Sequence, residues 1–176
     1  AEAESLLVAH PSVPANNIAE LIALARSKPL TYGSAGAGTT GHLAGELFKS
    51  MAKVEITHIP YKGNVPAITD ILAGQVSLVF ATLPTVLPHV KAGKLKSIAV
   101  LGASRSTALP EVPTVADSGL PGFEVHNWVG VFAPAGTPGP IVSKLNLEIL
   151  RVMRLPDVHA RLARPGMRFG LMSVEL

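Results

Sequence analysis

Short, almost wholly apolar runs alternate with stretches of helical spacing along most of this 176-residue chain. "LLVAH" (6–10) reads as a strand. Residues 17–28 then carry Ile18, Leu21, Ile22 and Ala25 on one helical face, opened by Asn17 and Glu20 at the spacing of a capping box. "LTYGS" is the next strand, and Leu43, Leu47 and Met51 at four-residue spacing predict a helix over 40–52 with that stripe buried. "VEITHIPY" predicts a strand, 65–73 a helix ended by Gly74, "VSLVFA" (76–81) a strand, 84–92 a helix ended by Gly93, and "KSIAVL" (96–101) a strand. In "LAGQVSLVF" and "KAGKLKSIAV" the same joint is used twice: a helix stops on Ala-Gly and an apolar strand follows at once. Strands without polar alternation belong in a sheet covered on both faces. The expectation is therefore an α/β fold with a doubly wound, mostly parallel sheet flanked by helices.

The texture changes at 104–127, "SRSTALPEVPTVADSGLPGFEVHN", whose prolines predict a surface connection or crossover with one helical turn near Thr114 to Ser118. "WVGVFAP" (128–134) reads as a strand, Thr137 as an N-cap, and 138–154 as a long helix with Ile141, Val142, Leu145, Ile149 and Val152 facing inward. Pro156 opens a last short helix to about 164. The final 48 residues look tied to a different layer from the first hundred.

Composition narrows the function classes. Nearly half the residues are hydrophobic and 15% are charged, which is a folding chain rather than a disordered one. The charge of +3 is spread out without interleaved aromatics, so nucleic acid is set aside as a partner. With no cysteine there is no disulfide, thiolate metal site or cysteine nucleophile. No apolar run approaches the ~20 residues that span a bilayer. Residues 1–10 do not form a complete signal peptide, so the expectation is a soluble chain whose targeting segment has been removed.

The candidate chemistry gathers at strand ends. Gly36, Gly38 and Gly41 satisfy G-x-G-x-x-G between a strand and a helix, the pattern of a dinucleotide loop. A dinucleotide site also wants an acidic residue ending the next strand, but Glu55 stands at that strand's start and its end is Pro60, Tyr61 and Lys62. A phosphate loop needs a lysine after its last glycine, and Thr39 follows Gly38. What remains is a row of backbone N–H groups from Ser34 through Ala35, Gly36 and Gly38 to Thr39 and Thr40, with three hydroxyls, at the positive end of a helix. That suits an anion charged at one end, such as a carboxylate. A plain strand-to-helix turn with Thr39 or Thr40 as N-cap explains the same residues equally well.

"PYKGNVP" (60–66) places Lys62 and Gly63 at the same edge of the sheet, and "FATLP" (80–84) adds Thr82. The six histidines show no pair at ligand spacing, so no metal is expected, and His42 reads as a packed or capping residue beside the loop. No G-x-S-x-G elbow and no acid and base pair stand out, so neither a catalytic residue nor a cofactor is assigned.

The words "YGSAGAGTTGHLAGELFKSMA", "ITHIPYKGNVPAITDILAGQVSLVF", "LPHVKAGKLKSIAV", "LPEVPTVADSGLPGFE" and "WVGVFAPAGTP" resemble, in order, the Bug family of solute-binding proteins of tripartite tricarboxylate transporters. The resemblance implies a periplasmic, two-lobed receptor of the type II periplasmic-binding-protein class. Such a receptor has no catalysis, closes on a small organic acid and passes it to the transporter's membrane subunits. It implies ligand contacts from Ser34, Ala35, Gly36, Gly38, Thr39 and Thr40, with Tyr61, Lys62 and Gly63 and the strand end at Ala81 and Thr82 completing this half of the pocket. Many relatives have an acid where Ala81 stands, one able to meet an amino group, so a plain carboxylic acid is expected over an amino acid. Residues 1–127 would form the second, ligand-binding lobe and 128–176 would return to the first. A complete member carries most of its first lobe ahead of "LLVAH", so the 138–154 helix is expected to lack its usual partner and either to drive homodimer formation or to pack in a position the family does not use.

Overall fold

The computed structural model describes residues 2–162 and 165–168. In chain order the elements are β1 (Glu2–Ala3), β2 (Ser5–Ala9), α1 (Ile18–Ser27), β3 (Thr31–Ser34), α2 (Thr40–Ala52), β4 (Thr57–Pro60), α3 (Asn64–Leu72), β5 (Leu78–Thr82), α4 (Leu83–Lys91), β6 (Lys96–Val100), β7 (Asn127–Trp128), α5 (Gly139–Met153), α6 (Pro156–Leu162) and β8 (Met167–Arg168). The capping box at Asn17 forms: its Oδ1 accepts from the Glu20 N–H at 2.9 Å, and the Glu20 carboxylate accepts from Asn17 Nδ2 at 2.7 Å and from the Asn16 N–H at 2.8 Å. Both Ala-Gly joints form too, with Ala73 and Ala92 as C-caps and Gly74 and Gly93 at φ +73 and +68.

A five-stranded sheet in the order β4-β3-β5-β2-β6 carries the core. Side chains alternate across it. Leu7 and Ala9 of β2, with Leu78 and Phe80 of β5, pack against α1 and α2, while Leu6 and Val8, with Val79 and Ala81, pack against α3 and α4. Both faces are apolar because both are covered, as the unalternating strands require. The strand directions refine the expectation. β3 pairs in parallel with β4 and β5, but β2 is antiparallel to both β5 and β6, so four strands run one way and β2 runs back between two of them. Apolar composition reports burial on two faces and says nothing of direction.

Three local expectations are corrected. The buried stripe of α2 is Ala44, Phe48 and Ala52, with Gly45, and Leu43 is 58% exposed. The stripe sits one residue further on because Gly41 and Gly45 let the helix backbone approach the sheet. A Cβ at Gly41 would lie 2.5 Å from the Phe80 carbonyl oxygen, and one at Gly45 2.3 Å from the Tyr32 ring. The proline-rich 104–127 stretch is no mere surface connection. It turns at Thr114 to Ser118, where the single turn was expected, with Ser118 N–H donating to Val115 O at 3.2 Å; it also joins the sheet through Val115 N–H to Val100 O at 2.9 Å and buries Val115, Leu120 and Phe123 in the core. "VEITHIPY" is strand only over β4, its first apolar residues Val54 and Ile56 being buried before the ladder begins.

The last part of the chain differs more. "WVGVFAP" is extended only at β7, which pairs with β1, itself paired with β8. Thr137 does not cap α5: Pro138 holds that position, and the Thr137 hydroxyl donates to the Pro134 carbonyl at 2.8 Å. No residue of α5 is buried, and Ile141 and Leu145 are each 50% exposed, so the inward stripe is not buried against the described residues. The end of the last predicted helix, at 163 and 164, and the chain beyond 168 lie outside the described residues.

Candidate functional site

Parallel pairing brings the ends of β3, β4 and β5 to one edge, and each is followed by a helix that starts there: α2, α3 and α4. Three positive helix ends therefore face the same edge. A cleft of about 240 Å³ opens between them, lined by Ser5, Ala35, Thr39, Thr40, Gly41, Asn64, Phe80, Ala81, Thr82, Leu101 and Asn127. Among these lining residues no side chain is acidic.

The start of α2 carries the site's polarity. Its N-cap, Thr39, makes no side-chain cap; its hydroxyl donates to the Gly36 carbonyl at 2.7 Å, and its N–H donates to the same oxygen at 3.3 Å. Among the described residues the N–H groups of Thr40, Gly41 and His42 have no protein acceptor. Thr40 and Gly41 border the cleft, so these two donors are free to meet an anion there, with the His42 N–H next to them in the same turn. Gly36 and Gly38 turn the loop with φ of +136 and +77, values that a side chain would strain.

Behind the loop, register brings rings together. Tyr32 and His58 are partners in the β3–β4 ladder and lie on the same face, stacked with centroids 4.8 Å apart, and His58 also stacks on His42 at 4.2 Å. The buried Ser34 hydroxyl meets His58 Nε2 at 2.7 Å and accepts from the Gly36 N–H at 3.2 Å, while the Gly38 N–H donates to His42 Nδ1 at 3.1 Å. Tyr32 donates to Glu46 at 2.7 Å and Lys49 donates to both Glu46 oxygens. Burial, then the field of His42, holds His58 below the ordinary imidazole value, with Lys49 adding to this and Glu46 opposing it. Burial pushes Glu46 up, but hydrogen bonds from Tyr32 and Lys49, with the charges of Lys49 and His42, bring it below the usual carboxyl range. Burial, then the bond to Glu46, raises the Tyr32 hydroxyl.

Comparison with known proteins decides the family. The sequence pattern of the tripartite tricarboxylate transporter family receptor matches residues 1–174. The chain belongs to that family. The BugT protein of Bordetella pertussis is 35% identical over 163 residues, which are 92% of this chain and 50% of BugT. The solved structure of R. palustris Rpa4515 with adipate is 40% identical with a TM-score of 0.85, matching 94% of this chain and 56% of that one. MatC from Rhodopseudomonas palustris with bound malate is 33% identical with a TM-score of 0.85, over 94% of this chain and 57% of that one. The chain spans about half the length of the curated relatives it matches. The fold is the periplasmic-binding-protein type, and the family's members are receptors.

Against this receptor frame, five residues anticipated from sequence lie on the cleft: Ala35, Thr39, Thr40, Ala81 and Thr82. Ser34, Gly36 and Gly38 stand behind it, where their polar groups hold the loop's shape. The 61–63 loop is turned away. The Tyr61 hydroxyl donates to Asp70 at 2.7 Å, and burial followed by that bond pushes it up to about 12. Gly63 N–H ties back to Ala35 O at 3.0 Å and Lys62 is exposed, so the next residue, Asn64, takes the place on the cleft. Gly41 closes helix against strand, which is the third-glycine role of the dinucleotide pattern without its acidic partner. Sequence reasoning missed Ser5, which reaches the cleft only because β2 runs backward and sets it opposite Thr82. It also missed Asn127, whose carboxamide oxygen is 3.4 Å from the Thr40 hydroxyl. The histidine pair was hidden because 16 residues of sequence separate two rings that register unites.

Proposed function

We propose that residues 1–127 form the ligand-binding lobe of a periplasmic solute receptor serving a tripartite tricarboxylate transporter, and that one carboxylate of a small organic acid sits at the start of α2. The observation that carries this reading is the set of N–H groups at Thr40, Gly41 and His42, without protein acceptors among the described residues, beside a cleft with no acidic lining. Ala81 offers no charge to an amino group, which favours a plain acid over an amino acid. The adipate and malate held by two similar receptors make dicarboxylates the first class to try. Ser34, Gly36 and Gly38 shape the loop, and Tyr61, Lys62 and Gly63 flank it.

Residues 128–176 are the return segment toward a first lobe. The exposure of Trp128, Val131, Phe132, Ile141 and Leu145 supports this, because such a face needs a cover. Two copies of residues 1–176 pair through α5, and light scattering that finds a monomer at every concentration contradicts this part. Calorimetric titration with adipate, malate and, as a control, NAD tests the central reading. Heat from a dicarboxylate and none from NAD is the expected result. Binding of NAD with no response to any organic acid overturns it.

A further inference from the structure

We infer that His42 is a positioning residue for the carboxylate loop, so that protonation of its ring releases the loop and weakens ligand binding. The inference rests on the carboxylate reading above for its effect on affinity, but not for its effect on the loop.

The loop from Ser34 to Thr40 is anchored at two points by two imidazoles in mutual contact. At one end the Ser34 hydroxyl, itself holding the Gly36 N–H, meets His58 Nε2 at 2.7 Å. At the other end Gly38 N–H donates to His42 Nδ1 at 3.1 Å. That second bond requires a bare Nδ1, so it exists only in the neutral ring carrying its proton on Nε2. Protonation places a hydrogen on Nδ1 and turns an acceptor into a second donor facing Gly38 N–H. The serine anchor has no such sensitivity: a hydroxyl accepts from a protonated His58 as readily as it donates to a neutral one.

Stacking at 4.2 Å makes the two rings reluctant to be charged together, so acid delivers one proton to the pair before a second. His58 lies against Tyr32 and is disfavoured by burial and by the cationic field of Lys49. On its open side a wide cleft holds Arg26, Lys28 and Lys49 against Glu55. His42 starts α2 one turn before Glu46, whose carboxylate its charge stabilises.

The test pairs nuclear magnetic resonance of the ligand-free chain with adipate titrations at pH 7.5 and 5.5. In the free chain the Gly38 amide shift should follow the titration of the His42 ring and vanish as a pH-dependent signal in His42→Gln. Independent titration of the two overturns the inference whether or not any acid binds. Glutamine retains an acceptor that does not titrate, whereas His42→Phe keeps a stacking ring with no acceptor. Gln should therefore bind adipate about three- to tenfold more tightly than Phe at pH 7.5, the worth of one hydrogen bond. The ratio of wild-type to His42→Gln affinity, in which adipate's own protonation cancels, should fall about threefold or more between pH 7.5 and 5.5. A ratio that rises means that the imidazolium's attraction for the anion outweighs its loss as an anchor, and overturns the inference. Coupled Gly38 and His42 titrations with no adipate binding would instead sink the carboxylate reading and leave the anchor standing.

Discussion

α1 and α5 are both amphipathic helices with aliphatic stripes, yet Ile18 and Leu21 of α1 are fully buried while Ile141 and Leu145 of α5 are half exposed. The two sequences announce the same thing, and only one finds a sheet to lie on. Periodicity says which face of a helix is apolar; it does not say that a partner exists within the chain. The region from β2 to Phe123 closes on itself around two clusters, one on each face of the sheet. The region from Trp128 to Leu155 keeps its large apolar side chains on the surface.

The sharpest way to break that contrast is to truncate one residue on each side. Phe48→Ala removes a ring with no exposure and should cost about 3–5 kcal/mol in denaturant unfolding. Leu145→Ala should change the monomer's stability by less than about 0.5 kcal/mol. Equal losses would mean that α5 is packed in solution and that the two regions do not differ. Next in size is Gly45→Ala, whose Cβ would stand 2.3 Å from the Tyr32 ring. A net loss of about 1–3 kcal/mol is expected despite alanine's better helix propensity, and a gain would show that α2 does not approach β3 this closely. Asn17→Ala deletes the N-cap of the buried helix and should cost about 1 kcal/mol by thermal or denaturant melting.

The smallest effect is one of pH. His58 binds its proton less readily folded than unfolded, so the stability it contributes is present above the ordinary imidazole value of about 6.5 and is lost as pH falls toward the folded one. Glu46, also depressed, adds a second loss at lower pH, as pH falls from the ordinary carboxyl value toward its folded one. Melting temperatures should therefore drop on going from pH 7 to 5.5 in the wild type and less so in His58→Gln. An identical profile in both would remove His58 as the cause.

Most of the layer order was legible before any coordinates, because β2 and β5 carry apolar residues on both faces and the Ala-Gly joints mark where helices stop. Strand direction was not, since Leu6 to Ala9 would read the same in either sense, and that ambiguity hid Ser5. The residue types of the glycine loop alone suited an anion cradle and a plain strand-to-helix turn equally well. The loop's division of labour was not legible: Gly41 and Gly45 serve packing, Ser34 and Gly38 serve the loop, and Thr39 and Thr40 face the cleft. Sequence spacing on one helix also had no means of revealing His42 against His58, a contact made by strand register.

The central claim is that the N–H groups opening α2 hold a carboxylate. Titrating a small dicarboxylate into the ¹⁵N-labelled chain tests it directly, by following the amides of Thr40, Gly41 and His42. Their signals should shift together and saturably, with Asn127 and Thr82 following and α5 unaffected. Saturable shifts centred elsewhere, with these three amides unmoved, would contradict it.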